Sequence, residues 1–185
     1  MDRGGRPRCA GVVTTTSPRV HWAVGVLGLR ADARVLEVGG GGTGASARLV
    51  CGLLTTGHLL SLDRSAAATA RISNSCPDLI EAGRLTVVTG ELAGLDVPSG
   101  SLDVAFAVDV NTFWTSDAAR ELAVLRRVLT PRGLLAACYG TDGPQSSRLR
   151  ERILEPVAAN VRRAGLADVE QRVEEDGGGV TAGNP

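Results

Sequence analysis

The stretch "VLEVGGGGTGASARL", residues 35–49, decides how the chain is interpreted. It places five glycines within the six positions from Gly39 to Gly44, directly after a β-branched run that contains Glu37. A glycine-rich turn between a strand and a helix lets a ligand touch the main chain and directs backbone N–H groups toward it. Five glycines exceed what a tight turn requires. The stretch therefore predicts a ligand-binding turn, to which a phosphate or a carboxylate is equally suited.

Short apolar runs that are typical of buried strands recur along the chain and alternate with segments of helical spacing. The strand-like runs are "RVLEV" (34–38), "HLLSLD" (58–63), "RLTVVTG" (84–90), "SLDVAFAVD" (101–109) and "GLLAACYG" (133–140), followed by two weaker ones within 167–176 and 178–183. Pro131 and Gly133 are expected to end the helix before the fifth strand, and Pro156 to bend or split the last helix. The alternation predicts an α/β fold, a doubly wound and mostly parallel sheet that binds its ligand at the carboxyl ends of the strands.

Composition narrows the possible functions. Residues 1–17 are rich in Arg, Gly, Thr and Pro and are predicted to be a flexible leader, and residues 18–185 a single domain. The net charge is zero, which gives no support for nucleic acid or membrane as a partner. All 20 basic residues are Arg, so a Walker phosphate loop and lysine Schiff-base chemistry are excluded. Four widely spaced cysteines and the lack of a long apolar run indicate a reduced, cytoplasmic protein.

An acidic residue closes the second predicted strand. Asp63 lies 19 residues beyond Gly44, close to the distance at which a carboxylate in nucleotide-binding α/β folds accepts hydrogen bonds from ribose hydroxyls. Taken alone, an Asp at a strand end can equally cap the helix that follows from Ser65 onward. A nicotinamide dinucleotide and an adenosyl-sulfonium both remain possible ligands on this basis. Glu37 favours the sulfonium, because a carboxylate repels a pyrophosphate beside the turn. Alternatively, Glu37 accepts backbone N–H groups of the turn.

The order of the motifs resembles that of class I S-adenosylmethionine-dependent methyltransferases of the small-molecule type. The resemblance covers residues 18–140 and rests on the glycine turn together with "LLSLDRS", "LTVVTGELAGLDVPSGSLDVAFAVDVNTFW" and "ELAVLRRVLTPRGLLAACYG". It implies a Rossmann-like, seven-stranded sheet whose last strand is antiparallel, and S-adenosyl-L-methionine as the cofactor. The glycine turn contains one more residue than the family's usual E-x-G-x-G-x-G spacing, and Glu91 stands where Asp is commoner.

The resemblance also implies roles for individual residues. The glycine turn would hold the methionine half of the cofactor, Asp63 the ribose, and the segment around Glu91 the adenine. The full set of predicted cofactor-binding residues is Glu37, Gly39, Gly40, Gly41, Gly42, Gly44, Asp63, Arg64, Gly90, Glu91, Leu92, Asp109 and Val110.

The sequence also suggests residues for the substrate pocket and for a catalytic base. His21 and Asp109 are candidate catalytic bases, although a packing role for His21 and a cofactor role for Asp109 are open alternatives. The predicted substrate pocket consists of His21, Trp22, Asn111, Phe113, Trp114 and Tyr139. For Phe113 and Trp114, a hydrophobic plug for the next helix is an equal alternative. Only Asp142 accompanies Asp109 after the relevant strands, so no metal is expected.

The predicted activity is methyl transfer to a small-molecule acceptor, mainly by alignment of cofactor and substrate. A noncatalytic, methyltransferase-fold partner or ligand-binding subunit is the alternative, and a nicotinamide-dependent reductase is a third interpretation. A homodimer is left open.

Overall fold

The computed structural model describes residues 16–140 and 146–185. Seven strands form one sheet in the order β3-β2-β1-β4-β5-β7-β6. Their bounds are β1 Arg34–Val38, β2 His58–Asp63, β3 Leu85–Thr89, β4 Leu102–Val108, β5 Leu129–Tyr139, β6 Ala167–Val173 and β7 Gly178–Gly183. Strands β1 to β5 pair in parallel, and β7 pairs antiparallel with both β5 and β6. The predicted α/β fold with an antiparallel last strand is confirmed.

Helices cover both faces of the sheet. They are α1 Pro18–Gly25, α2 Ala45–Leu53, α3 Ala66–Ser75, α4 Pro77–Glu81, α5 Thr112–Thr115, α6 Ala119–Val128, α7 Ser146–Leu149 and α8 Glu155–Arg163, with a 3-10 turn at Leu92–Gly94 and a π-helical turn at Arg150–Leu154. Of the predicted leader only Thr16 and Ser17 are described, and Asp142 also lies outside the described residues. The division into a leader and one domain remains a prediction.

The core consists of two apolar layers, one on each face of the sheet. Successive strand residues point to opposite faces, so the fully buried Val35 packs with α1, α2 and α3, whereas its neighbour Leu36 packs with α6 and α8. The chain runs outward from β1 through β2 to β3 and then returns to place β4 on the other side of β1. Loops leaving β1 and β4 therefore diverge, and this divergence opens a cleft at the carboxyl edge.

Two boundaries near prolines show different outcomes. Helix α6 ends at Val128 and β5 starts at Leu129, so the prediction that the fifth strand begins at Gly133 was wrong. Pro131 is tolerated within the strand because the β4–β5 register shifts between Leu102 and Val104, which frees this segment from regular pairing. A π-helical turn precedes α8, and Pro156 lies in the first turn of α8, where its missing N–H costs no helical hydrogen bond; the bend or split predicted at Pro156 stays a prediction.

Candidate functional site

A cavity of 510 Å³ opens at the carboxyl ends of β1, β2, β3 and β4. It brings together segments that are far apart in the sequence: the turn after β1, the end of β2, the turn after β3 and the end of β4. Of the predicted site residues, those that line it are Glu37, Gly39, Gly40, Gly41, Asp63, Arg64, Gly90, Glu91, Leu92, Asp109, Val110, Asn111 and Phe113.

The glycine turn serves both the cleft and the packing of α3. Gly42 and Gly44 are not among the described residues that line the cavity. A Cβ at Gly42 would lie 2.7 Å from Nε of Arg71, and a Cβ at Gly44 would lie 2.7 Å from Sγ of Cys76. Both have positive φ angles, 87° and 71°. The positive φ favours glycine at both positions, and at Gly44 the close approach of the end of α3 requires it as well, which explains why the turn contains more glycine than a binding loop needs.

Backbone hydrogen bonds fix the part of the turn that faces the cleft. The N–H of Gly39 donates to the carbonyl of Leu62 at 2.7 Å, and the N–H of Gly42 donates to the carbonyl of Gly40 at 2.8 Å. The N–H of Gly41 donates to Oδ2 of Asp63 at 3.4 Å. Several amides of the turn are thus engaged within the protein, and the turn presents bare main chain to the cleft.

Glu37 is a buried carboxylate beneath the turn. Its Oε2 accepts a 2.7 Å hydrogen bond from the hydroxyl of Ser61, and its Oε1 accepts a hydrogen bond from the hydroxyl of Ser46. Burial raises the pKa of Glu37 above its ordinary value, an effect that the two serine hydrogen bonds partly offset and the nearby charge of Asp63 reinforces. The two serines support the side chain, so the open alternative of a backbone-bonded Glu37 is not what the hydrogen bonds show.

Asp63 connects β2 to the glycine turn. Its Oδ1 accepts a 2.8 Å hydrogen bond from the N–H of Ser65, while Oδ2 accepts from Gly41. The cap of α3 is Ser65, whose hydroxyl accepts from the N–H of Ala68 at 3.3 Å. Asp63 lines the cleft and is not the helix cap.

Asp109 joins α1 to the carboxyl edge of the sheet. Its Oδ2 lies 3.2 Å from Nη1 of Arg19, and its Oδ1 accepts a 3.0 Å hydrogen bond from the N–H of Gly140. The residue has a φ of 57°, a conformation that is uncommon outside glycine. Because both carboxylate oxygens are engaged, Asp109 is placed to hold the two segments together, and a proton-accepting role would compete with this ion pair.

Four predicted pocket residues do not line the cleft. His21 is exposed to solvent and does not face the cavity. The residues of α1 that line the cavity are Arg19 and Val20. Trp22 packs against the turn between β6 and β7, since a Cβ at Gly177 would lie 2.6 Å from its Cε3.

Trp114 is half-buried and packs against the apolar layer of α6 and α8. Tyr139 is buried, its hydroxyl donates to the carbonyl of Val110 at 3.1 Å, and burial raises its pKa. Tyr139 therefore supports the wall of the cleft from behind through Val110, which lines the cavity. The predictions for His21, Trp22, Trp114 and Tyr139 are not supported by the position of these side chains.

Several cleft residues were not predicted from the sequence. They are Arg19, Val20, Val38, Thr43, Ser46, Leu62, Val108, Thr112 and Glu121. Thr43 and Ser46 follow the glycine turn directly, so their position could have been deduced from it. Arg19 and Glu121 carry no local signal, because they reach the cleft only through the packing of α1 and α6.

Within the described residues, no group of three or more His, Cys, Asp and Glu side chains is arranged to hold a metal ion. Over the same residues, no helix has the length and apolar character needed to cross a membrane.

Comparison with known proteins identifies the family. Residues 36–137 match the methyltransferase domain family, and the chain belongs to this family, within the class I S-adenosylmethionine-dependent methyltransferases. No curated protein sequence matches the chain significantly.

Solved structures share its fold at low sequence identity. An S-adenosylmethionine-dependent methyltransferase from Aquifex aeolicus is 21% identical with a TM-score of 0.70, covering 90% of this chain and 89% of that chain. The [4+2]-cyclase SpnF is 17% identical with a TM-score of 0.70, covering 90% and 79%. A geranyl diphosphate methyltransferase, solved with GPP and sinefungin, is 12% identical with a TM-score of 0.70, covering 90% and 77%.

Proposed function

We propose that the protein transfers a methyl group from S-adenosylmethionine to a small-molecule acceptor, and that it does so mainly by aligning the two. The observation that carries this proposal is the convergence of the glycine turn, Asp63, Glu91 and Asp109 on one cavity of 510 Å³. That volume lies within the range of about 300–1,000 Å³ that is typical of small-molecule sites.

The charges of the cleft suit a cationic cofactor. Its lining contains five carboxylates and two guanidiniums, namely Glu37, Asp63, Glu91, Asp109 and Glu121 against Arg19 and Arg64. One guanidinium, that of Arg19, is already paired with Asp109. Carboxylates in excess favour the sulfonium and ammonium groups of S-adenosylmethionine over a doubly anionic pyrophosphate. When bound, this cofactor supplies an electrophilic methyl group.

The glycine turn also fits a ligand that lies against the main chain. Gly41 lines the cavity with a φ of 67°, and a Cβ there would meet nothing within 4 Å, so this position leaves open space beside the main chain. We assign the turn to the methionine half of the cofactor and the free lone pairs of Asp63 to the ribose hydroxyls. Glu91 and Leu92 are assigned to the adenine.

The acceptor end of the cleft is assigned to the segment that follows β4. Asn111, Thr112 and Phe113 line the cavity there, opposite the glycine turn. His21 lies outside the cavity and Asp109 is held by Arg19 and Gly140, so neither is placed as a free general base. Positioning of the acceptor is therefore proposed as the main contribution of the protein, and alignment can supply roughly 7–11 kcal/mol.

Isothermal titration with S-adenosylmethionine and with S-adenosylhomocysteine tests the cofactor assignment. Asp63→Ala is expected to weaken both affinities at least about tenfold, the effect of about 1.4 kcal/mol of lost hydrogen bonding. Asp32→Ala is the matched control, because Asp32 is exposed, pairs only with Arg30 in the described structure and does not line the cleft. Absence of binding by the wild-type protein at millimolar ligand would overturn the proposal.

A ligand-binding protein without transferase activity is the second candidate. It is favoured by the engagement of Asp109 and by the position of His21 away from the cavity. Transfer of a radiolabelled methyl group to a panel of phenols, carboxylic acids and amines separates the two candidates. Cofactor binding without transfer to any acceptor would support the second.

The free cysteines bear on the cellular compartment of the protein. Cys51, Cys76 and Cys138 are free and buried. We propose a reducing, cytoplasmic compartment because these thiols are free. Light scattering would measure whether the chain forms a homodimer.

A further inference from the structure

A second cavity lies between α6 and α8, apart from the cofactor cleft. Its volume is 560 Å³, and it shares none of its lining residues with the cleft. The lining residues are Asp117, Ala119, Ala123, Arg126, Arg127, Asn160, Arg163 and Ala164. We call this cavity the α6–α8 groove.

The shape of the groove follows from small residues on α6. Ala119 and Ala123 are four positions apart and therefore lie on one side of the helix, where they leave open space beside α8. Arg126 and Arg127 follow one turn later, and Arg163 faces them from the last turn of α8. The groove thus has an alanine floor and a rim of guanidinium groups.

Arg126, Arg127 and Arg163 form no ion pair with an acidic residue in the described part of the chain. The arginines that do form ion pairs there are Arg19, Arg30, Arg34, Arg48 and Arg172. The recorded acceptors of Arg126, Arg127 and Arg163 are neutral. Arg126 donates to the carbonyl of Ala164 at 3.4 Å, and Arg163 donates to Oδ1 of Asn160 at 2.7 Å. Arg127 donates to the carbonyls of Val97 and Leu95. Neutral acceptors fix the orientation of a guanidinium and leave its charge uncompensated, with several of its five N–H donors free.

The partial negative charges at the C-terminal ends of the two helices do not neutralise the positive charge of these arginines. The carbonyl ends of α6 and α8 contribute roughly half a negative charge each, against the two guanidiniums of Arg126 and Arg163 that donate to groove residues. The one acidic residue of the groove, Asp117, precedes α6, and its Oδ1 accepts from the N–H of Ala119. It lies about 13 Å along the helix axis from Arg126, which is more than a Debye length at physiological salt. Arg163 lies nearer to it, because Asn160 contacts both Arg163 and Ser116, but Asp117 and Arg163 form no ion pair among the described residues.

We infer that the α6–α8 groove binds a small phosphate-bearing anion, with Arg126 and Arg163 as the residues that hold it; Arg127 is not assigned to the anion, because both of its Nη groups donate to Val97 and Leu95, which lie outside the groove. Guanidinium groups bind phosphate oxygens through paired N–H donors, and the open space above the two alanines accommodates such a group. The inference does not depend on the proposed methyl transfer, because no residue of the groove lines the cofactor cleft.

Isothermal titration with inorganic pyrophosphate at low ionic strength tests the inference. The wild-type protein is expected to bind one equivalent, and Arg126→Gln/Arg163→Gln is expected to bind at least tenfold more weakly. Arg120→Gln/Arg152→Gln is the control of equal charge change, since both arginines are exposed and lie outside the groove; its affinity is expected within twofold of wild type. Equal weakening in both double variants, or no saturable binding at millimolar pyrophosphate, would show that the arginines act only on the helix ends.

A second variant keeps the test valid if the double variant is unstable. Ala123→Glu places a carboxylate on the exposed floor of the groove and keeps a good helix former in α6. It is expected to abolish pyrophosphate binding without lowering the melting temperature, and unchanged binding would contradict the assignment. A short single-stranded oligonucleotide is titrated in parallel. If it binds more tightly than pyrophosphate and responds to the same variants, the ligand is a nucleic-acid backbone and the small-anion inference fails.

Discussion

The hydroxyl of Ser61 donates a 2.7 Å hydrogen bond to Oε2 of Glu37, and this pair lies directly beneath Gly40. The relationship joins β1 to β2 at the base of the glycine turn. A buried acid, a serine on the neighbouring strand and a glycine without a side chain thus form one packed unit, and changes at any of these positions should be felt in the cleft.

The protonation of Glu37 gives a pH-dependent prediction. Burial raises its folded-state pKa above the ordinary value of 4.5, so the folded state holds more protons than the unfolded state between these two pKa values. The free energy of unfolding contributed by Glu37 therefore decreases as pH rises from about 4.5 toward the folded-state pKa. Glu37→Gln is expected to lose this decrease, so that the variant gains stability relative to wild type as the pH rises above about 4.5.

Urea denaturation at several pH values measures that difference. Ser61→Ala is a useful companion, because it removes one hydrogen bond that favours the carboxylate, raises the folded-state pKa of Glu37 further and should extend the decrease to higher pH. A difference between Glu37→Gln and wild type that does not vary with pH would refute the raised pKa.

Two glycine-to-alanine changes should have opposite effects. Gly40→Ala forces a Cβ to within 2.7 Å of both Oγ of Ser61 and Cδ1 of Ile72, and overpacking of this kind costs about 1–3 kcal/mol. Gly52→Ala lies in α2 with nothing within 4 Å of the new Cβ, so it should stabilise the protein by about 0.5–1 kcal/mol. Thermal melts of the two variants beside wild type check both signs, and a neutral Gly40→Ala would mean that the turn relaxes freely.

The ion pair between Arg19 and Asp109 should affect local motion more than global stability. Both side chains are substantially exposed, at 38% and 43%, so Arg19→Gln is expected to change the free energy of unfolding by less than about 1 kcal/mol. Amide hydrogen exchange in residues 18–25 should nevertheless become faster, because α1 loses its contact with the end of β4. Arg30→Gln removes another exposed ion pair and is the control. Unchanged protection of α1 in Arg19→Gln would exclude this role.

Asn160 should be important for stability. It is buried, and its Nδ2 donates to the carbonyls of Phe113 at 3.1 Å and Ser116 at 2.7 Å. Asn160→Ala leaves these acceptors without their donor, at a cost of about 2–3 kcal/mol in the free energy of unfolding. Asn74→Ala, at an exposed position of α3, should cost less than about 0.5 kcal/mol. Chemical denaturation of both variants tests the contrast, and equal midpoints would contradict it.

The parts of the fold that follow from local patterns were predictable. The bounds of β1 and β2 match the predicted runs at both ends, because each is a short apolar segment enclosed by turn residues or charges. Helices α4 and α5 were not predicted, since five and four residues are too few to display a helical period. The early start of β5 depends on a register shift against β4, a tertiary feature that outweighs the usual effect of Pro131.

The candidate site divides in the same way. Glu37, Asp63 and Glu91 adjoin strand ends, and strand ends in a parallel sheet have a fixed relation to the cleft, so their convergence could be predicted. The face of α1 that points to the cleft could not be predicted. Arg19 and His21 are only two positions apart in the sequence, and the packing of the helix alone determines which of them lines the cavity. Glu121 reaches the cleft through the placement of α6, for which the sequence carries no signal.

The hydrogen bonds from Asn160 to Phe113 and Ser116 cross from α8 to the wall of the cleft that contains Phe113, the end that we propose for the acceptor. Helix α8 lies beyond residue 137, where the match to the methyltransferase family ends. The shape of that wall is therefore set from a region outside the shared cofactor-binding segment. Mutations in this C-terminal region can retune which molecules are accepted while leaving the glycine turn untouched, so the two properties are free to diverge independently during evolution.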